Sequence, residues 1–291
     1  MTNKYLSAAG PVIEVVRDIN MNECLVNGEI STLVETSNRG LNYGDGLFET
    51  LLVNNGRPRR WQGHMDRLGI GCERLALPMP PQSILLREVQ TVSAGLLNAV
   101  VKIVITRGGQ SRSYLSPEDE NCIRIVSAYP YPDGIAELAR KGVRTRICEL
   151  RLANQPALGG MKHLNRLEQV LARAELRGSG VEEGIMLDRK DHVVSAIAAN
   201  IFLVMENRLL TPRLDLCGVR GVVRSHILAG FGARCEQRRI TLDMLQEADE
   251  VFICNTVKGI VPVTAVDEHV YEIGLVTREL QTWLMEGARR T

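Results

Sequence analysis

The stretch Gly160-Met161-Lys162-His163-Leu164-Asn165-Arg166-Leu167-Glu168-Gln169 is the one from which the rest of the chain can be read. Its lysine is a scarce residue here. The 291 residues hold only six, Lys4, Lys102, Lys141, Lys162, Lys190 and Lys258, and arginine carries nearly all other positive charge. An amine condenses with an aldehyde and a guanidinium does not, so a lysine set just before a strongly patterned helix points to covalent chemistry at a carbonyl. The same run also reads as a surface lysine ahead of an ordinary helix, and the surrounding sequence decides between the two.

Downstream of Lys162, a helix near 164–177 places Leu164, Leu167, Leu171 and Ala174 on one apolar face. Two short strands, Gly184 to Leu187 and His192 to Ala196, flank the turn Asp188-Arg189-Lys190-Asp191. Further strands are expected near 199–204 and 249–254, with a helix near 219–231 and a last one over 273–287. Upstream, a strand is expected at 143–150. Before it, Tyr129-Pro130-Tyr131-Pro132-Asp133-Gly134 breaks the pattern as an interdomain linker would. The first half has a hairpin signal at Asn54-Asn55-Gly56, helices around 63–76 and 81–96, and alternating strands over Val100–Thr106 and Cys122–Ala128. Strands and helices mix without a strict βαβ rhythm, so the fold class is α+β rather than a doubly wound sheet. The expected organisation is an N-terminal extension over 1–20, a smaller α+β domain over 21–130, and a larger one over 131–291 carrying Lys162.

Charge and composition narrow the function. With 35 basic and 34 acidic residues interspersed, the net charge is +1, which leaves no nucleic-acid footprint or acidic tail. Apolar runs are only strand-length, so no membrane span is expected, and residues 1–20 lack the order of a signal peptide. Seven dispersed cysteines without a C-x-x-C pair read as reduced thiols of a cytoplasmic protein. Five histidines without ligand spacing argue against a metal site.

Four separated segments carry a resemblance. They are Asn38-Arg39-Gly40-Leu41-Asn42-Tyr43-Gly44-Asp45-Gly46-Leu47-Phe48-Glu49-Thr50, then His64-Met65-Asp66-Arg67-Leu68, then Lys162 to Val170, and finally Thr211 to Arg224 with Ala248 to Asn255 and Pro262-Val263. In order and spacing they resemble the fold-type IV pyridoxal-phosphate enzymes: branched-chain and D-amino-acid aminotransferases and aminodeoxychorismate lyase. The Lys162 segment is similar to the lyase branch in particular. The resemblance covers roughly residues 22–285.

It implies the two-domain fold-type IV architecture, pyridoxal 5'-phosphate as cofactor, a homodimer, and a site at the domain junction. Lys162 is implied as the cofactor-bound catalytic lysine. Arg67 is implied as the phosphate arginine, with Gly221, Val222 and Val223 at a helix start and Asn255-Thr256 in a second phosphate turn. A phosphate dianion calls for such a set of guanidinium and backbone N–H donors. Tyr43, Arg107 and Arg112 fall where the family has substrate-facing loops, and a substrate bearing two carboxylates calls for guanidinium forks. Loop arginines are exposed by default, so both arginines also read as ordinary surface residues.

One departure stands out. Where the family has a glutamate on the pyridine nitrogen, this chain has Ser195, and a hydroxyl holds no full positive charge there. Asn38 and Ser113 depart from the usual aspartate and glycine. The weaker electron sink disfavours transamination more than an elimination that ends in an aromatic ring. The implied activity is therefore β-elimination of 4-amino-4-deoxychorismate to 4-aminobenzoate and pyruvate. Two alternatives stay open: an aminotransferase of D- or branched-chain amino acids, and a specialised paralogue with lowered activity.

Overall fold

The computed structural model describes residues 24–108, 113–115 and 121–289. The expected extension over 1–20 and Arg112 lie outside the described residues. Two sheets organise the chain.

The first is built from β1 (Cys24–Val26), β2 (Glu29–Ile30), β3 (Gly46–Asn54), β4 (Arg57–Pro58), β5 (Asn98–Arg107) and β6 (Cys122–Pro130), in the order β2-β1-β6-β5-β3-β4. Every pairing in it is antiparallel. Three helices accompany it: α1 (Arg39–Tyr43), α2 (Trp61–Leu75) and α3 (Gln82–Val92). The β3–β4 turn has Asn55 at φ 48° and Gly56 at φ 71°, the two positive values that a tight hairpin turn requires. Alternation along the strands separates two faces. Leu51, Val53, Val101, Ile103 and Ile105 are buried in one core with Leu68 of α2 and Leu85 and Val89 of α3. Phe48 and Thr50, on the other face of β3, line a large cavity.

The second half contains α4 (Ile135–Lys141), β7 (Val143–Leu152), α5 (Leu167–Glu175), β8 (Glu183–Asp188), β9 (Val193–Ala196), β10 (Asn200–Met205) and β11 (Arg208–Pro212). It continues through α6 (Val222–Gly230), β12 (Cys235–Arg238), α7 (Leu242–Gln246), β13 (Glu250–Asn255), β14 (Gly259–Val266), β15 (His269–Val270) and α8 (Leu275–Arg289). Its nine-stranded sheet runs β12-β11-β10-β13-β14-β7-β8-β9, with β15 on β14. The sheet is mixed: β7 lies parallel to both β14 and β8, and β11 is parallel to β12. It curls far enough for β9 to pack against β10 and β11. Both faces of the central strands are therefore buried. Ile201, Leu203, Val251 and Ile253 enter the core inside the curl, and Phe202 and Phe252 stack outside it, ring centroids 5.0 Å apart, beneath α6 and α8. Strands buried on both sides read as continuous apolar runs, which is how 200–205 and 250–254 look in the sequence.

One expectation is overturned. The apolar face of α5 does not enter the core, since Leu167 is 75% and Leu171 57% exposed. Ala172 is the residue of α5 that packs inward, beside Cys148, Met186 and Leu214. Polar anchors set this rotation: the Glu175 carboxylate accepts the N–H groups of Glu149 and Leu150 at 2.7 and 3.0 Å, and Arg173 pairs with buried Glu183 at 2.6 Å.

Candidate active site

Lys162 is placed by backbone pairing on both sides. The Phe48 N–H donates to the Lys162 carbonyl and the Leu164 N–H to Gly46, each at 3.0 Å, so the segment adds to the edge of β3. Behind it, Gly160 bridges to Val219. Gly160 has φ 79°, and a Cβ there would sit 2.9 Å from the Arg220 side chain, so both backbone and space favour glycine. The Asn165 amide donates to the Gly44 carbonyl at 3.2 Å, locking the same segment to the turn after α1. The amine thus stands in a cavity of about 840 Å³ between the two halves, 4.0 Å from the centroid of the Phe48 ring. Burial, reinforced by the Arg67 charge, lowers its pKa to about 7, so near neutrality much of it is the nucleophilic free amine.

At one end of the cavity three elements converge. Arg67 of α2, Gly221 and Val222 at the start of α6, and Thr256 after β13 all line it. The first-turn N–H groups of a helix lack intrahelical partners and carry partial positive charge, so this end is an anion site by construction. A side chain at 221 would meet Asn200 Oδ1 at 2.0 Å; that oxygen accepts the Gly221 N–H at 3.0 Å, and its amide donates to the Val219 carbonyl at 2.8 Å. Asn200, which sequence reasoning left without a role, thereby shapes the entry to α6. The Val223 side chain is buried in the core with Ile227 and Phe252, which leaves its backbone N–H, in the first turn of α6, as the group it can offer.

Arg67 is held by Glu49. Its Nε donates to Oε1 at 2.8 Å, Nη2 donates to Oε2, and Nη1 reaches the Arg220 carbonyl at 3.1 Å. A guanidinium has five N–H donors, so donors remain for an anion. Glu49 is 1% exposed. Burial pushes its carboxyl up, but Arg67 and His64 outweigh that and bring it down to about 2. His64, itself kept neutral by burial, donates from Nδ1 to Glu49 over 2.6 Å, and its Nε2 lies 3.4 Å from the Thr256 hydroxyl. Glu49 and His64 were visible in the quoted motifs, yet their contact needs β3 and α2 to be packed together.

Ser195, 8% exposed, presents the polar side chain of β9 to the same cavity. Asn255 also lines the cavity, but its carbonyl oxygen accepts the Val257 and Lys258 N–H groups at 3.0 and 2.7 Å, which builds the turn around Thr256. Cys254 is no rival nucleophile, because burial pushes its thiol up to about 12.

Tyr43 and Arg107 do not line this cavity. They border a separate one of about 320 Å³ with Arg39, Asp45 and His163. Arg107 is not an exposed loop arginine: it is 5% exposed, donates from Nε to Asp45 at 2.9 Å, and reaches the Ala76 and Leu75 carbonyls. Its fork closes the end of α2, where four carbonyls lack helical partners. Arg39 shares the same Asp45 oxygen at 2.9 Å. Asn38 caps α1 by accepting the Leu41 N–H, a task an amide oxygen performs as a carboxylate would.

Four further residues were missed. Lys102 approaches the same Phe48 ring as Lys162, at 5.3 Å. Arg166, Gln169 and Arg173 line the cavity from α5 and its cap. Their spacing of three and four residues is a helical face legible in the sequence, lying beside the apolar one.

Taken together, a lysine amine near neutral pKa shares with an arginine, a helix start and a serine hydroxyl a hollow large enough for a small cofactor and a substrate. That donor set fits an aromatic aldehyde carrying a phosphate. Among the described residues no group of histidine, cysteine and carboxylate side chains could hold a metal ion.

Comparison with known proteins agrees with this geometry. An aminodeoxychorismate lyase from Vibrio harveyi is 34% identical over 263 residues, covering 88% of this chain and 97% of that protein. The crystal structure of a 4-amino-4-deoxychorismate lyase from Pseudomonas aeruginosa superposes with a TM-score of 0.86 at 43% identity, over 90% of this chain and 98% of the other. An Escherichia coli branched-chain aminotransferase superposes at 0.81 with 23% identity, over 92% and 95%, and shares the fold. The model of the class IV amino-transferase family matches residues 46–266, which hold Lys162, Arg67, Ser195 and the α6 entry alike. With the fold, the cavity and this match in agreement, the chain belongs to the class IV aminotransferase family.

Proposed function

We propose that the chain is a pyridoxal-phosphate-dependent lyase that converts 4-amino-4-deoxychorismate to 4-aminobenzoate and pyruvate. The observation that carries this reading is the amine of Lys162, lowered to about pKa 7 and sharing one cavity with Arg67, the start of α6 and Ser195. Lys162 holds the cofactor. Arg67, the backbone N–H groups of Gly221, Val222 and Val223, and the turn of Asn255 and Thr256 hold its phosphate, while Ser195 meets its ring nitrogen. When bound, the cofactor supplies an electron sink for the ring carbon that bears the substrate amine. Lys162 then removes the C4 proton and the C3–O ether bond breaks. The ring becomes aromatic, and the departing enolpyruvate is protonated to pyruvate. A near-neutral lysine suits both proton steps, since it gives and takes a proton at working pH.

Ser195 supports the lyase over an aminotransferase, because transamination depends more heavily on a protonated ring nitrogen. The two lyase relatives point the same way. The test is direct: purified holoenzyme given aminodeoxychorismate should release 4-aminobenzoate and pyruvate in equal amounts, and Lys162→Ala should lose both the borohydride-sensitive absorption band and the product. Steady glutamate formation from D-alanine and 2-oxoglutarate, without 4-aminobenzoate, would favour an aminotransferase instead. A specialised paralogue would bind the cofactor and turn over neither substrate pair.

Two units, 21–130 and 131–291, would meet at this site. We infer a homodimer, supported by the exposed apolar stripe Leu167, Val170 and Leu171 on α5. Sedimentation would reveal it. A cytoplasmic setting is supported by seven free cysteines, and among the described residues no helix is long and apolar enough to cross a membrane.

A further inference from the structure

Arg166 is a cation with no ion pair among the described residues. Its Nε donates to the His163 carbonyl at 2.9 Å, while Nη2 is buried with no hydrogen-bond partner among the described residues. No carboxylate among them forms an ion pair with it, although the Glu168 charge acts on it from a distance; of the other arginines on the wall, Arg67 is paired with Glu49 and Arg173 with Glu183, while Arg177 is exposed. The residue lines the main cavity four positions after Lys162, close enough for its charge to disfavour the protonated amine there. Beside it, the Gln169 side-chain oxygen is also buried and unpartnered on the same wall. A buried guanidinium nitrogen left unpaired costs stability, and such groups persist where a ligand completes them. Burial lowers the Arg166 pKa only to about 10, so the group stays charged at working pH.

We propose that Arg166 is an oxyanion-binding residue of the active site, its free guanidinium edge taking the anionic oxygen that lies beside the carbon held at Lys162. On the functional reading above, two oxygens have that chemistry: the phenolate of the cofactor, adjacent to its aldehyde carbon, and a carboxylate of the substrate. Neither is served by the Arg67 end, which takes the phosphate.

The experiment compares holoenzyme of the wild type, Arg166→Gln and Arg166→Lys by two readouts. The first is the pH midpoint of the cofactor absorbance without substrate. The second is the Kd for an unreactive benzene dicarboxylate, alongside KM and kcat for aminodeoxychorismate. If the phenolate is the partner, the midpoint rises by about one pH unit in Arg166→Gln, as loss of one charge-assisted hydrogen bond implies, and Arg166→Lys recovers part of it. If a carboxylate is the partner, the midpoint stays and Kd and KM rise roughly tenfold or more with kcat within about threefold. Should neither midpoint nor Kd move, the proposal is overturned. Wild-type turnover is scored separately: a wild type that ignores aminodeoxychorismate removes the lyase reading, while a shifted midpoint or Kd in Arg166→Gln still upholds the oxyanion site. If Arg166→Gln does not accumulate as folded protein, Arg166→Lys gives both readouts at smaller amplitude, because it keeps the charge and loses the fork.

Discussion

Two parts of the cavity wall are built on different principles. At the Arg67 end several groups do one job: a guanidinium, the start of α6, and the turn at Thr256, backed by Glu49 and His64. Elsewhere on the wall Ser195 is a lone hydroxyl on a short strand. Binding an anion tolerates redundancy, because each donor adds attraction and none must be exact. Tuning an electron sink allows none, because a single proton at a single atom sets it. We infer that the chain keeps the family's anion-binding set and departs where one residue changes the chemistry.

The comparison can be broken most severely at the lysine. Lys162→Ala removes both the covalent anchor and the base, and lyase turnover should fall by roughly 10³- to 10⁴-fold or more, measured as 4-aminobenzoate release with saturating cofactor. The anion end comes next. Arg67→Ala leaves Glu49 buried without its cation and should weaken cofactor binding by about 100-fold in an absorbance titration, with Glu49→Gln closer to tenfold because the fork keeps one acceptor. The redundant donors limit both losses, so a total loss of cofactor binding in Glu49→Gln would contradict the reading of this end.

The Ser195 position should respond in kind rather than in degree. Ser195→Glu is expected to raise transamination of D-alanine on the order of tenfold while lyase turnover changes less, with the ratio of glutamate to 4-aminobenzoate as the measurement. A lyase gain on the order of 100-fold would instead mark Ser195 as damage to an ancestral site.

The smallest effect is in pH. Capture of an added aldehyde by apoprotein needs the free amine, so its rate should rise with pH through a midpoint near 7 rather than near 10.5. Removing a nearby cation favours the protonated amine, so Arg67→Ala should move that midpoint upward by up to about one unit. Stopped-flow absorbance across pH 5 to 9 would read both.

Much of this was legible before any coordinates. The alternation of β5 and β6, the Asn-Gly hairpin, the spacing in α2 and the two-sided apolar strands β10 and β13 all follow from local period and turn chemistry. The packing of Arg107 was not legible, for an equally physical reason. A guanidinium looks alike in sequence whether it faces a ligand or caps a helix end, and only packing against Leu75, Ala76 and Asp45 tells the two apart. The apolar face of α5 misled similarly, since periodicity finds a stripe but not which side the polar anchors turn inward.

By itself the sequence determined the fold class, the scarce lysine and the residue types an anion and an aldehyde require, because these depend on side-chain chemistry and on periods of two to four residues. Tertiary structure alone decided the amine's low pKa, the pairing of Glu49 with Arg67 and the unmatched charge of Arg166. Each of these is a property of distance and desolvation between segments remote in sequence, such as β3 and the Lys162 strand, and an electrostatic energy has no value until those distances exist.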